Sequence, residues 1–446
     1  MNESRTVVRE IVWRDVCPWL ILLRSFRAAT RLRVLLLAAV AVLGTTAGWR
    51  ICGEVFSGSD DPYLQSVEGE PGPLPELYGQ WPWDWAQPWA VFWRTNVESG
   101  QTSPPQLCLK NEPVPLAQVR NFVEAFSLRA VGPDGTIQAV GASRLAYMLL
   151  VLLWALLVWG FFGGAITRMV AVELAAEEQI PWSKAIGHAR EKLFSYFSAP
   201  LFPLIGVLLV TVPLLLVGLL MQFDIGLVAV GIVWPLMFLG GLIMTILVLG
   251  LLVGWPLMWA TISTEGSDAF DAISRCYAYV FQRPIRYLVY IISASVLGML
   301  GYVVVCVFAA LVINLTAWSA SWGSGGERMI EVLDHVPVPG AAESEGEWGG
   351  AAQFGTALIG WWNNAIWLLA TAFIYSYFWS ASSAIYLLMR HDVDATEMDE
   401  VYLDSKEEVF GLPPLEEDEN GVPGVVDESP AEEPEKDEPP PEEAAD

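Results

Sequence analysis

The sequence predicts an all-α fold, a polytopic transmembrane helix bundle of about six spans. The chain has 446 residues, 54% of them hydrophobic, and its mean hydropathy is +0.43. The apolar residues are gathered into long runs, most of them at least as long as the roughly 20 residues that a helix needs to cross a bilayer. Two amphipathic segments separate the later runs, and their similarity indicates a weak parallel repeat.

The apolar runs and the polar segments between them divide the chain. The predicted transmembrane helices are residues 34–52, 145–167, 201–221, 225–262, 287–318 and 358–389. The predicted segments between and beside them are a basic N-terminal segment (1–33), a Trp- and Pro-rich loop domain (53–142), two amphipathic helices (168–200 and 263–286), a second loop (319–357) and a disordered acidic tail (391–446). The length of this chain therefore reflects the number of membrane spans rather than the number of soluble domains.

The fourth run is long for a single span. One helix over the 38 residues of 225–262 would be about 57 Å long, roughly twice the hydrocarbon thickness. The run forms either one span with a partly buried connection or a hairpin of two short spans. A hairpin would invert the second half of the chain.

The distribution of lysine and arginine predicts the orientation. The first 33 residues hold seven arginines, and segments 168–200 and 263–286 hold four and three basic residues, whereas 319–357 holds one. Basic connecting segments remain in the cytoplasm. We therefore expect a multi-pass protein of a bacterial inner (cytoplasmic) membrane, with both termini and both amphipathic helices cytoplasmic and the loops 53–142 and 319–357 extracytoplasmic.

The two amphipathic helices are predicted to lie at the membrane interface. The apolar stripe of the first comprises Trp182, Ile186, Ala189, Leu193 and Phe197, with Lys184, His188 and Glu191 opposite. The second begins near Ser267 as N-cap, and its stripe comprises Phe270, Ile273, Tyr277, Val280 and Phe281. The two align at an offset of 87 residues, although chance identity is a serious alternative. Such helices either connect spans and cap the bundle or sense and shape lipid.

Charge and motif content exclude several classes of function. Of the formal charge of −26, most belongs to residues 391–446, which hold 22 acidic residues and two lysines. No folded stretch shows a basic stripe, so nucleic acid is not an expected partner; the expected partners are membrane lipids and other membrane proteins. The three histidines, His188, His335 and His391, fall in different segments, and no nucleophile or phosphate-binding motif occurs. The sequence predicts no enzyme, cofactor or metal site.

Two sets of residues are candidates for local chemistry. Cys52 and Cys108 belong to one predicted non-cytoplasmic region, where either a disulfide or two unpaired thiols would be compatible with the sequence. The last two spans contain polar side chains that could form an intramembrane site: Asn314, Asn363 and Asn364. The alternative is that these side chains only take part in ordinary packing between helices. A tryptophan-rich stretch is expected to dock on the outer face of the bundle or, alternatively, to stack against sugars; its members are Trp81, Trp83, Trp85, Trp89 and Trp93.

Two further stretches carry a resemblance to known proteins. SDAFDAISRCYAYVFQRPIRYL at 267–288 and AIYLLMRHDVDATEMDEVYL at 384–403 resemble a family of planctomycete multi-pass membrane proteins of unassigned function, over about a tenth of the chain. The resemblance implies an inner-membrane location and no known catalytic residues. The arrangement of spans and amphipathic helices is more loosely similar to membrane domains attached to some glycerophosphodiesterases, whose catalytic barrel has no counterpart in this sequence.

These observations favour a non-enzymatic scaffold or assembly component. The alternative is a permease or lipid-handling protein for a neutral or lipidic solute, and an enzyme ranks third. A cavity lined by Asn314, Asn363 and Asn364 would favour the permease, whereas a solidly packed bundle would favour the scaffold. The acidic run at 391–400 lacks the glycine and distal glutamate of a calcium loop, so we expect it to be solvated.

Overall fold

A computed structural model of the chain describes residues 18–61, 63–66, 72–79, 81–82, 129–131, 137–139, 141–336, 349–402, 415–417 and 423–425. Two units are present, one extending to Val401 and one beginning at Tyr402. In the first unit, a 3-10 turn (Pro18–Leu20) precedes helices α1 (Ile21–Ala29), α2 (Leu32–Phe56), α3 (Pro73–Gly79), α4 (Ala142–Ala176), α5 (Trp182–Glu191), α6 (Leu193–Leu219), α7 (Asp224–Glu265), α8 (Ala269–Gln282), α9 (Pro284–Ser324), α10 (Gly326–Asp334) and α11 (Gly350–Asp394).

Short β-ladders complete the described structure. In the first unit, β1 (Arg129–Val131) pairs antiparallel with β2 (Ile137–Ala139) just before α4. In the second unit, β3 (Leu415–Glu417) pairs antiparallel with β4 (Pro423–Val425). This second ladder falls within the tail that the sequence predicts to be disordered, and most of that tail lies outside the described residues.

Six of the helices in the described chain are long and apolar enough to cross a membrane: α2, α4, α6 with the 3-10 turn that follows it, α7, α9 and α11. The predicted helical fold and the predicted number of spans are therefore confirmed, and the chain has the character of a multi-pass membrane protein. Helices α7, α9 and α11 have 42, 41 and 45 residues. At 1.5 Å per residue each is more than about 60 Å long, twice the thickness of the hydrocarbon layer. Each must therefore extend well beyond it.

The fourth predicted run is one continuous helix, so the hairpin interpretation of 225–262 is wrong. Helix α7 begins after Phe223, whose backbone is extended, and has Asp224 in its first turn, where a negative charge is favoured by the helix dipole. It continues through Pro235 and Pro256. It ends at Gly266, which has a left-handed φ of 64° and donates its N–H to Ile262 O.

Three pairs of consecutive spans, α2–α4, α6–α7 and α9–α11, pack as antiparallel neighbours. Trp154 Nε1 of α4 donates to Gly44 O of α2 at 3.0 Å, and Tyr377 OH of α11 donates to Ala294 O of α9 at 2.8 Å. In the α6–α7 pair, a Cβ on Gly240 would lie 3.1 Å from Leu214. Small residues thus let large side chains cross between helix backbones, as is usual in membrane bundles.

The largest buried core lies at one end of the bundle, called here the core end. It contains the N-terminal parts of α6 and α9 and the C-terminal parts of α4, α7 and α11, and its largest fully buried side chains include Trp259, Trp379, Tyr196, Tyr279 and Tyr386. Helices α1, α5 and α8 also pack here. Arg24 contacts Glu177 at 2.9 Å and Lys192 donates to Gly266 O at 2.5 Å. The three basic segments of the sequence therefore meet at one end, as the six-span topology requires.

Helix α5 differs from its predicted orientation. Trp182, placed by the sequence on the apolar stripe, is exposed, whereas His188, predicted on the polar face, is buried with Ala185 and Ala189. The predicted stripe assumed one helix through Phe197, but α5 ends at Glu191 and α6 begins at Leu193. The break rotates the residues that follow it relative to the earlier ones, so the periodicity did not describe a single helix.

Helix α8 also differs in its cap and its buried face. Asp268, rather than the predicted Ser267, is the N-cap, and its side chain accepts from Asp271 N at 2.9 Å. Phe270 and Phe281 of the predicted stripe are exposed, and the face turned to the bundle carries Ala269, Ala272, Cys276, Tyr279 and Val280. Helix α8 begins at the predicted offset from the start of α5, and the aligned Ala185 and Ala272 are both fully buried. Span, short helix and span thus occur twice in succession.

Candidate functional site

Among the described residues, those singled out by the sequence lie apart from one another. Cys52 is buried on α2 in a second, smaller apolar cluster that includes Tyr78 and Tyr147. Cys108 lies outside the described residues, so the disulfide stays a prediction. Asn314 is exposed on α9 and donates Nδ2 to Ala310 O of its own helix at 2.8 Å. Asn363 and Asn364 are half-buried on α11.

The polar side chains that do converge lie at the core end, around Glu265. Arg275 Nη1 of α8 lies 2.8 Å from Glu265 Oε2 and 3.0 Å from Oε1. Tyr386 OH of α11 donates to Glu265 Oε1 at 2.5 Å, and Arg390 Nη1 lies 3.8 Å from the same oxygen. These four residues, Glu265, Arg275, Tyr386 and Arg390, are called here the Glu265 cluster. It joins α7, α8 and α11.

Arg390 also fixes the chain that follows α11. Its side chain is almost fully buried, and Nη2 donates to Glu397 O at 3.0 Å and to Glu400 O at 2.5 Å. Ala395 ends the helix in a left-handed conformation with φ of 55°, which turns the chain back toward Arg390. One guanidinium thus connects the Glu265 cluster with residues 397–400.

Two carboxylates of the acidic run at 391–400, both in the last turn of α11, are paired, which corrects the prediction that the whole run is solvated; Glu397, Asp399 and Glu400 are exposed. Asp392 accepts from Arg286 Nη1 at 2.7 Å and from Tyr290 OH at 2.9 Å. Asp394 accepts from Tyr279 OH of α8. The run was misjudged because its partners lie on α8 and α9, more than 100 residues earlier in the chain.

A second polar group secures the end of α7. Ser263 Oγ lies 2.5 Å from Thr167 Oγ1 of α4 and 2.7 Å from Tyr196 OH of α6. Arg168 Nη1 donates to Ser263 O at 2.8 Å, and Lys192 Nζ donates to Gly266 O. The last carbonyls of a helix have no partner within it, so cationic donors at this position satisfy them and complement the helix dipole.

Aromatic side chains fill the interior beside these polar groups. Trp259 of α7 and Trp379 of α11 stack with ring centroids 4.6 Å apart. Trp255 lies 5.4 Å from Trp379 and 5.6 Å from Trp259, and Trp159 of α4 lies 6.2 Å from Trp379. Four indoles from three helices therefore occupy the space between the spans at this level.

At the opposite end, an ion pair attaches the first loop to α4. Arg144 binds Asp61 through two bonds, from Nε at 3.1 Å and from Nη2 at 2.8 Å, and its guanidinium lies 4.0 Å from the Tyr63 ring centroid. The Arg50 guanidinium lies over the Trp81 ring, 4.5 Å from the ring centroid, in a cation–π contact. Thr371 Oγ1 donates to Pro82 O at 2.9 Å. This part of the tryptophan-rich stretch docks on the bundle as expected; Trp83, Trp85, Trp89 and Trp93 lie outside the described residues.

Ionisation at the core end follows from burial and pairing. Burial raises the pKa of the Cys276 thiol. Burial would lower the pKa of Arg275, but the Glu265 and Asp271 carboxylates raise it above its ordinary value. Burial raises the pKa of Tyr279, and Asp394 adds to the effect. These shifts keep the arginine charged and the thiol and phenol neutral, so the groups act as fixed hydrogen-bonding partners.

The arrangement is suited to joining helices. Both oxygens of Glu265 are occupied by Arg275, and one also accepts from Tyr386. Within the described ranges, no group of three or more His, Cys, Asp or Glu side chains could hold a metal ion. Sequence reasoning missed Glu265 and Arg390 because they stand at the very ends of apolar runs, where a charge usually marks only the start of a loop.

Comparison with family models, with characterised proteins and with solved structures gives no match for this chain.

Proposed function

We propose that this chain is a non-enzymatic membrane scaffold or assembly component, and that the outer parts of α6 and α7 contact other membrane proteins. The exposure of this helix pair carries the proposal. In the most apolar 18-residue window of α6 with its 3-10 turn, and in that of α7, 6% of the residues are buried, compared with 50% for α2 and 33% for α11. The pair extends from a well-packed core end with apolar side chains on most of its faces.

The packing of the core end supports a scaffold over a permease. The indoles of Trp259 and Trp379 stack, and Trp255 meets both of them edge-on, so that the three rings occupy the space between α7 and α11, where a solute would otherwise pass. Asn314, the polar candidate on α9, is exposed and bonded within its own helix.

The core end is proposed to face the cytoplasm of a bacterial cell. Helices α1, α5 and α8 gather basic side chains at this end, and the positive-inside rule then sets the orientation. The acidic tail would begin on the same side.

Site-specific photocrosslinking in cells tests the scaffold. A photoreactive residue would replace Leu209 on α6 or Phe238 on α7, and in matched controls Met299 or Phe308 on α9. The four side chains are similarly exposed, at 72%, 66%, 72% and 68%. We expect a discrete crosslinked protein from the α6 and α7 positions and none from the α9 positions. Crosslinking to lipid alone at all four positions, or equal protein crosslinking from all four, would overturn the proposal.

A further inference from the structure

The start of α2 carries a basic cleft whose arginines are unequally paired. Four arginines, Arg24, Arg27, Arg31 and Arg33, lie within ten residues of sequence. Arg24 pairs with Glu177 at 2.9 Å. Arg31 pairs with Glu173 and, with the amide of Gln179 in its hydrogen-bonded orientation, also donates to Gln179 at 3.2 Å.

The other two arginines remain available. Arg27 and Arg33 are exposed, and no ion pair joins either of them to a carboxylate in the described part of the chain. Arg33 lines a small open cleft together with Arg31, Met169, Glu173, Gln179 and Ile180. Because Glu173 is already neutralised by Arg31, the guanidinium of Arg33 is the uncompensated charge of the cleft.

The cleft is continuous with the membrane-facing surface of α2. Leu36 and Val40 follow Arg33 at i+3 and i+7, which places the three on one face of the helix. Leu36 and Val40 are exposed, and Leu32 beside them is 64% exposed. Leu23 on α1 and Trp19 in the 3-10 turn before it are exposed as well. A ligand here would meet guanidinium groups at one end and an aliphatic stripe at the other.

We propose that this cleft binds the headgroup of an anionic phospholipid from the adjacent leaflet, with Arg33 as its principal contact and Arg27 as a second charge nearby. Guanidinium groups match phosphate oxygens in geometry as well as in charge, and the stripe of Leu32, Leu36 and Val40 is suited to lie along an acyl chain. A basic residue close to an anionic membrane surface contributes about a fivefold gain in binding. The lipid would thereby hold the junction between α1 and α2 at the membrane surface.

Native mass spectrometry of the full chain released from nanodiscs tests the proposal. The nanodiscs contain phosphatidylcholine with or without phosphatidylglycerol. We expect Arg33→Gln to reduce retained phosphatidylglycerol about fivefold, Arg27→Gln/Arg33→Gln to reduce it further, and Arg33→Lys to retain most of it. The matched control is Arg328→Gln, which removes an exposed arginine from α10 and should leave retention unchanged.

Two outcomes would show that the lipid does not bind in this cleft. Equal retention by Arg33→Gln and the unsubstituted chain, or equal loss in Arg33→Gln and Arg328→Gln, would show that the cleft is not the binding position. Competition with glycerophosphoglycerol separates a lipid from a free phosphodiester. If this headgroup without acyl chains displaces the lipid at equal concentration, the aliphatic stripe contributes nothing and the lipid assignment fails. Because Arg33 is exposed, equal melting of all variants in pure phosphatidylcholine is the expected folding control.

Discussion

The side chain of Glu265 lies between two arginines and a tyrosine that belong to two other helices. Glu265→Gln keeps the size of the side chain but leaves Arg275 and Arg390 without their shared counter-charge. Removing one partner of a fully buried ion pair costs about 3 kcal/mol or more, but the Arg275 side chain is 38% exposed and also pairs with Asp271, so solvent screens part of this loss. We therefore expect the free energy of unfolding to fall by about 1–2 kcal/mol, measured by equilibrium unfolding of the purified chain in mixed micelles.

An exposed ion pair provides the matched control for this substitution. Arg328 Nη1 and Glu331 Oε2 lie 2.6 Å apart on α10, and both side chains are about half exposed. Glu331→Gln should change the free energy of unfolding by less than about 1 kcal/mol because solvent screens the pair. Equal effects at Glu265 and Glu331 would contradict the structural importance of the Glu265 cluster.

The reactivity of the Cys276 thiol tests whether the face of α8 that packs on the bundle is buried. Its thiol donates to Gly254 O at 2.9 Å, and burial raises its pKa. The thiolate is the reactive form, so a raised pKa means less thiolate at any pH below it. We expect alkylation of Cys276 by N-ethylmaleimide to stay negligible from pH 7 to pH 9, as followed by peptide mass spectrometry.

The exposed position Ser274 on the same helix supplies the comparison. In Ser274→Cys the introduced thiol should label readily, and faster as the pH rises toward about 8.5, the ordinary pKa of cysteine. If Cys276 labels at the rate of the introduced thiol, the packed face of α8 has been assigned incorrectly.

Individual side-chain partners were the part of the structure that the sequence could not predict. Glu265 and Tyr386 are 121 residues apart, and their contact exists only once α7 and α11 pack side by side. The three candidate asparagines are polar residues within apolar runs. However, Asn314 satisfies its side chain within its own helix, a possibility that hydropathy does not reveal.

At the scale of the element, helix α7 offers two glycines with opposite environments. A Cβ on Gly254 would lie 2.4 Å from Cys276 Sγ of α8, whereas a Cβ on Gly231 would meet open space. We expect Gly254→Ala to lower the free energy of unfolding by about 1–3 kcal/mol through overpacking. Gly231→Ala should leave it unchanged or raise it by up to about 1 kcal/mol, because alanine favours the helix. The same micellar unfolding experiment measures both, and equal stability of the two variants would contradict the α7–α8 contact.

Helix ends were less predictable than helix existence. The sequence ended the second span at Thr167 and the sixth at Met389, but α4 continues to Ala176 and α11 to Asp394. Hydropathy marks only residues that suit hydrocarbon, whereas the helical hydrogen-bonding pattern continues through Arg168 and Arg390, which find partners at the core end. The charged residues that appeared to end the spans are thus the ones that hold the helices together.

For the whole molecule, helix length relates the core end to the bilayer. Helices of 41 to 45 residues exceed the hydrocarbon layer by about 30 Å. The polar Glu265 cluster lies at the core end, whereas the exposed apolar surface of α6 and α7 suits the membrane. We infer that the core end lies at the level of the lipid headgroups, where its charges avoid the cost of hydrocarbon and the start of α2 remains in reach of lipid.

The six-span topology makes a prediction for the side on which each connection is accessible. Gly187 on α5 and Gly323 near the end of α9 are both exposed, and a Cβ at either position would meet open space, so cysteine can replace each one separately without disturbing the packing. In intact cells, a membrane-impermeant maleimide should label Gly323→Cys, while Gly187→Cys and Ser274→Cys should label only after permeabilisation, as followed by peptide mass spectrometry. The physical reason is the single helix α7: it returns the chain to the core end, so α5 and α8 share one side and the α9–α10 junction lies on the other. Labelling of Gly187→Cys and Gly323→Cys from the same side would contradict the topology, whereas a complete exchange of the two sides would preserve the bundle and reverse only the proposed orientation.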